Sequence, residues 1–269
     1  MRAVPGGPRR FWKVSDDPGM ITETEALVLR SYNLAEADKI VVCLTRSSGL
    51  VRAVAKGSRK IKNRFGAALE PFTLVNLTYY QKENQELASM NGAEIIKSHF
   101  NLFRDPDILT GLAYIGDLVV EFSPPHQTND KLFRMITACL EAIAAGPQDL
   151  QLVLRYFEVW ILRLEGFLPD LRRCADCGRS LSDEGSVRLS RELGLLCSSC
   201  AQGRGEVLSR SAYARLCASQ IQSPSLFVQE SRALPAAVHT ELAELMQRMI
   251  GRVLERQPRV QLASISGQL

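Results

Sequence analysis

Hydrophobic positions along the chain follow two different periods, and the change falls near residue 100. Before it, EALVLR (25–30), KIVVCLT (39–45), LVRAVAKG (50–57), FTLVNLTYY (72–80) and ELASMNGAEIIK (86–97) are short segments rich in Val, Leu, Ile, Thr and Tyr. Residues of this kind fit a pleated, packed surface and predict strands. Turn residues separate them: Ser47-Ser48-Gly49, Gly57-Ser58 and Glu83-Asn84. Five consecutive short strands are the count of a small Greek-key barrel of the OB type, and an SH3-like barrel fits almost as well. The expected barrel domain spans 21–100.

After Phe100 the period becomes helical. A helix is expected over 107–122, starting at an Asp107 cap and stopped by Pro124-Pro125. Residues 130–144 place Leu132, Ile136, Cys139, Leu140 and Ile143 on one face, and Gly146-Pro147 ends them. The segment 149–165 is apolar nearly all round, which predicts a helix in the middle of a bundle. Helical pattern returns at 209–219 and at 235–256, where Val238, Leu242, Leu245, Met249 and Val253 share a face. The fold class is therefore α+β and multidomain. A helical domain over 101–173 and 205–269 is interrupted by a cysteine-bounded insert at 174–204.

Residues 1–20 hold Pro5, Pro8 and Pro18 and no period, and are expected to be a disordered tail. They carry Arg2, Arg9, Arg10 and Lys13 but no apolar core of a secretory signal. No run of eighteen apolar residues occurs, which argues against a membrane span. Seven cysteines without an export signal point to a reducing compartment, so a cytoplasmic location is expected. The net charge is only +4, from 33 Lys+Arg against 29 Asp+Glu, so the distribution of charge matters more than its total.

Cys174-Ala-Asp-Cys177 and Cys197-Ser-Ser-Cys200 form a C-x₂-C-x₁₉-C-x₂-C pattern. Each knuckle presents two thiolates on one tight turn, and two knuckles complete a tetrahedron for one zinc ion. A redox dithiol pair or a site that no longer binds metal are the alternatives. SVRLSRELGLLC between the knuckles reads as a hairpin that returns the second to the first. Four cysteines close the shell, and His99, His126 and His239 lie apart from the insert, so the ion is expected to be structural. Cys43, Cys139 and Cys217 sit in apolar segments and read as small buried hydrophobes.

Between Asp38 and Glu70 the chain has no acidic residue and eight cations: Lys39, Arg46, Arg52, Lys56, Arg59, Lys60, Lys62 and Arg64. Solvated faces ordinarily mix signs, whereas a single-sign run across a barrel hairpin and its following loop suits a nucleic-acid backbone. Tyr32 and Phe65 are candidate stacking platforms, together with one of Tyr79 and Tyr80, whose side chains alternate faces. If all seven cations from Arg46 to Arg64 met phosphate, the salt slope on single strands would be about −5, at roughly −0.7 per contact. A purely solubilising face is the alternative.

No catalytic pattern is visible. There is no G-x-x-x-x-G-K-[ST] loop, no G-x-S-x-G elbow and no His-paired nucleophilic cysteine. Asp105 and Asp107 flank Pro106 and read as a turn and a cap. The expectation is a binding protein and not an enzyme.

The segment 26–60, ALVLRSYNLAEADKIVVCLTRSSGLVRAVAKGSRK, with LEPFTLVNLTYY (69–80), resembles the N-terminal OB domain of the RecO family of bacterial DNA repair proteins. RYFEVWILRLEGFLPDLRRCADCG (155–178) resembles that family's buried helix leading into its zinc insert, and RVQLASISGQL its close. The resemblance covers about 21–265. It implies a recombination mediator of the RecF pathway, without turnover, that binds single- and double-stranded DNA and anneals complementary strands. Such a protein helps load RecA at gaps, with RecR and the C-terminal tail of single-strand-binding protein as partners. Carried onto this chain, DNA contact falls on Arg46, Arg52, Lys56, Arg59, Lys60, Lys62 and Arg64, with Arg172 and Arg173 as a second contact. The zinc positions fall on Cys174, Cys177, Cys197 and Cys200. The partner tail needs a cation beside an apolar slot, for which Lys131, Arg134 and Arg155 are candidates. The rival reading is an RNA-binding OB and zinc-ribbon protein of the transcription or translation machinery.

Overall fold

The structure is a computed structural model and describes residues 19–82, 85–260 and 262. The expected tail up to residue 18 and the Glu83-Asn84 turn lie outside the described residues. Five strands, β1 (Met20–Leu34), β2 (Asp38–Thr45), β3 (Gly49–Ala55), β4 (Leu74–Gln81) and β5 (Leu87–Lys97), close into a barrel of order β1-β2-β3-β5-β4. The β3–β5 pair is parallel and the others are antiparallel, which is the OB arrangement and not the SH3-like one. Closure falls to β1, whose length lets its first half pair with β4 (Met20↔Gln81 to Leu27↔Leu74) and its second with β2 (Ala26↔Thr45 to Leu34↔Asp38).

The strands are apolar on both faces because both faces are covered. Ala26, Val28, Val41, Cys43, Val51 and Ala53 fill the barrel, while Leu27, Leu29, Val42 and Leu44 belong to the core of the helical domain. The β2–β3 turn is pinned by Gly49, which has φ +65° and sits where a Cβ would come within 2.2 Å of the Gln127 carbonyl oxygen. No side chain fits there, so the barrel's turn and the loop before the second helix are locked together.

The helical domain starts with α1 (Pro106–Phe122). Its cap is Asp105 and not Asp107: the Asp105 carboxylate accepts from the backbone N–H groups of Asp107 (2.8 Å) and Ile108 (3.4 Å). Pro106 at the first helical position lacks the N–H that would need a partner, which moves the cap two residues earlier than expected. α2 (Asp130–Ala145) is capped by Asn129 and buries the five face residues read from its period. α3 (Leu150–Leu164) packs against both and, on its other side, against three later helices.

The insert contains β6 (Ser186–Leu189), β7 (Leu195–Leu196), α4 (Ser198–Ala201) and β8 (Glu206–Ser209). Its sheet has the order β7-β6-β8, so the hairpin gains a third strand just past the expected end at 204. α5 (Arg210–Ser219), α6 (Pro224–Ser231) and α7 (Ala236–Leu254) complete the bundle. α6 was not legible as a periodic segment; it is short, and its identity rests on a Ser223 cap and Pro224 at its start. Among the described residues no helix is long and apolar enough to cross a membrane.

Candidate nucleic-acid interface and metal centre

The basic run resolves into two kinds of cation. On β3 the side chains alternate, so Val51, Ala53 and Ala55 enter the barrel while Arg52 points to solvent. The following loop then carries Lys56, Arg59, Lys60, Lys62 and Arg64, all exposed. The loop is tied down by its backbone. The Gly57 N–H donates to the Asp38 carboxylate (2.8 Å), and Arg59 donates to the carbonyls of Ala37 (3.0 Å, backbone N–H) and Ala35 (2.7 Å, guanidinium). The Asn63 side chain accepts from Phe65 (3.0 Å) and Gly66 (2.7 Å), turning the chain back into the barrel. Asp38 thus serves the loop's backbone and leaves its cations uncompensated. Among the described residues none of Arg52, Lys56, Arg59, Lys60, Lys62 and Arg64 has an ion-pair partner.

Arg46 differs. It donates to Glu25 and to Asp130 of α2, both at 2.8 Å, which holds its guanidinium above the ordinary arginine range through these side-chain bonds. Its charge joins barrel to helices and is removed from the free strip. The platforms also sort themselves. Tyr32 is 48% exposed, but Phe65 is 4% exposed and plugs the barrel, with the Arg64 guanidinium 4.9 Å from its ring centre. Tyr79 faces inward and Tyr80 is half-buried. Phe65 is therefore a core residue and not a stacking platform: Asn63 turns it inward, and a lone aromatic between Arg64 and Gly66 gave no periodic signal of burial.

Arg172 and Arg173 are exposed at the end of the segment that leads into the insert, just before the first knuckle. The Arg172 N–H donates to Asp170 (2.8 Å), and the Arg173 guanidinium to the Gly178 carbonyl (3.3 Å). Lys131 and Arg134 are exposed on α2, with Arg134 beside Asp130 at 3.8 Å. Arg155 is not accessible to any partner. It is 4% exposed inside the bundle and pairs with Glu158 at 3.0 Å, while the Tyr114 hydroxyl donates to the same carboxylate at 2.7 Å. Burial pushes Glu158 up, against the pull of Arg155 and Tyr114, and burial followed by the Glu158 charge pushes Tyr114 up.

The four cysteines come together. Their Sγ atoms all lie within 4.8 Å of one another, with Cys177 and Cys197 at 3.9 Å. A tetrahedron of thiolates around zinc has edges of about 3.8 Å, from Zn–S bonds of about 2.3 Å. The first knuckle turns on Gly178 (φ +70°), whose N–H donates to the Cys174 carbonyl at 2.9 Å. Cys197 opens α4, so Cys200 follows on the same short helical turn. The Ala175 N–H donates to the Leu195 carbonyl (2.8 Å) and the Cys197 N–H to the Cys174 sulfur (3.4 Å), bringing the knuckles face to face. This set can hold one metal ion with no position left open.

Barrel, bundle and cluster stand in one order along the chain, and comparison with known families settles their kinship. Residues 20–99 match the family model described as Recombination protein O N terminal, and residues 104–262 match Recombination protein O C terminal. The chain belongs to the recombination protein O family. It is 37% identical over 164 residues to the DNA repair protein RecO of Koribacter versatilis, covering 61% of this chain and 66% of that protein. With the DNA repair protein RecO of Anaeromyxobacter sp. (strain K) it shares 33% identity over 221 residues, 82% of this chain and 86% of that protein. The match to the N-terminal recombination protein O model begins where β1 begins, and the tail lies outside it.

Proposed function

We propose that this member of the recombination protein O family acts in DNA repair and homologous recombination as a mediator that binds DNA and anneals complementary strands, without catalytic turnover. The observation that carries this reading is the strip of six cations from Arg52 to Arg64, without an ion-pair partner among the described residues, on β3 and on the loop that hydrogen bonds to Asp38, Ala35 and Asn63 tie down. Two DNA strands repel each other. A surface that neutralises both lowers that repulsion, and contacts to phosphate alone let the strands slide until they find register. Duplex formation is downhill, so no nucleotide hydrolysis is required. Arg172 and Arg173 beside the insert supply a second place for phosphate. The ion held by Cys174, Cys177, Cys197 and Cys200 is zinc, one per chain, and its role is to fold the insert.

The same reading gives the protein RecR and the acidic C-terminal tail of single-strand-binding protein as partners, for loading RecA at gaps. Lys131 and Arg134 are the accessible candidates for the tail. The test is annealing of complementary oligonucleotides without ATP, bare and coated with single-strand-binding protein. Annealing in both states is expected. Failure on both, with folded and metal-loaded protein, removes the function.

A further inference from the structure

A second feature of the barrel lies beside the cation strip and is built differently. The register of β1 shifts between Val28 and Arg30, so Leu29 is bulged and Arg30 and Tyr32 both turn to the outer face, opposite Val42 and Ile40. Phe72 sits nearby at φ 57°, a conformation a bulky residue adopts at a cost, and its N–H donates to the Val28 carbonyl beside the bulge. These two irregularities open a groove of about 630 Å³ between the barrel and α1, within the size range of sites that take small flat ligands.

Aromatic rings line it. Tyr32 is 48% exposed, and Phe100 is 61% exposed and meets Phe103 edge-on with ring centres 6.1 Å apart. The groove's one cation, Arg30, is already paired with Asp117, whose other oxygen accepts from the Val260 N–H at 3.1 Å. No free positive charge therefore remains among the groove's lining residues, and Glu70 adds a carboxylate acceptor. A phosphate or an acidic peptide has nothing to bind there. The unpaired cations stand just outside: Arg59 holds the β1–β2 turn at Ala35 and Ala37, three to five residues beyond Tyr32.

Resting on the DNA-binding reading above, we infer that this groove receives an unstacked base of a single strand whose phosphates run along the Arg59–Arg64 loop. The division of chemistry matches the two halves of a nucleotide. Cations face the backbone, aromatic rings face the base, and Glu70 can accept from a base N–H such as N3–H of thymine.

The test compares an oligothymidylate with an abasic oligonucleotide of equal length by fluorescence anisotropy, for wild type, Phe100→Ala and Tyr32→Ala. Both side chains are exposed, and unchanged melting temperatures check the fold. Each variant should bind oligothymidylate about tenfold more weakly, with unchanged affinity for the abasic strand and an unchanged salt slope. Wild-type affinity of both variants for oligothymidylate, or an equal loss on both strands, overturns the groove while leaving the cation strip standing. A wild-type protein that binds neither strand overturns the DNA reading and the groove together.

Discussion

Arginine serves opposite ends in the barrel loop and in the helical bundle. In the bundle Arg155 is enclosed, paired with Glu158 and backed by Tyr114, so its charge is consumed by the fold. On the barrel Arg52, Arg59 and Arg64 face water, and where they bond at all they bond to carbonyls that leave the positive charge uncancelled. Charge count alone does not separate the two. What separates them is whether a carboxylate was placed within reach, and between Asp38 and Glu70 none is available in sequence. Function is to be sought where the fold leaves charge uncompensated.

The largest expected effect tests the third region against both. On the zinc reading proposed above, removing the ion, by chelation or by Cys197→Ser, forfeits a contribution on the order of 10 kcal/mol to the insert's folding. Hydrogen exchange should show loss of protection across β6, β7 and β8, with the barrel amides unchanged, and bound zinc should fall from one per chain to none. Next in size is the bundle. Arg155→Ala strands the Glu158 carboxylate in the core and should cost about 3–5 kcal/mol by chemical denaturation. Phe65→Ala should cost a similar amount, about 3–5 kcal/mol, through the cavity it leaves in the barrel. Lys56→Glu with Arg59→Glu should leave stability near wild type and abolish DNA binding, the reverse signature.

The smallest effect concerns pH. Burial, helped by the neighbouring Lys97 charge and opposed by Glu141, pushes His99 below its usual 6.5. The folded state therefore favours the neutral imidazole, while the unfolded chain takes up a proton more readily. Stability is full above that usual value and declines as pH falls below it toward the lowered folded value. Melting temperature measured from neutrality to about pH 5 should drop less for His99→Gln than for wild type. An identical drop in both would remove His99 from the account.

Much of this architecture was legible. Apolar runs such as ALVL and IVVCL marked strands, and the structure supplies the reason they are apolar throughout: the bundle covers one side and the barrel core the other. The cysteine spacing carried the cluster of four thiols, because two knuckles joined by a hairpin leave few other geometries. The departures have local causes. Asp105 out-competes Asp107 as a cap because Pro106 tolerates the first helical position. Arg155 and Phe65 looked free because local sequence does not reveal the packing around them: Glu158 stands one turn along the same helix, but Tyr114 of α1 and the bundle enclose the pair, and the barrel interior encloses Phe65. Arg46 lost its place in the strip to Asp130, a residue far along the chain. Phe100 and Phe103 could not be read as a platform, since the groove they line exists only through the bulge at Leu29 and the turn at Phe72.

The central claim is that six cations, left free by the fold, meet the phosphates of DNA. It is tested most directly by the affinity for an oligothymidylate measured as a function of salt. With Arg46 committed to Glu25 and Asp130, the predicted slope of log K against log salt is about −4, from roughly −0.7 per contact. Lys56→Glu with Arg59→Glu should abolish that binding at every salt concentration tested. An affinity that does not respond to salt, or a double variant that binds as wild type does, would contradict the account.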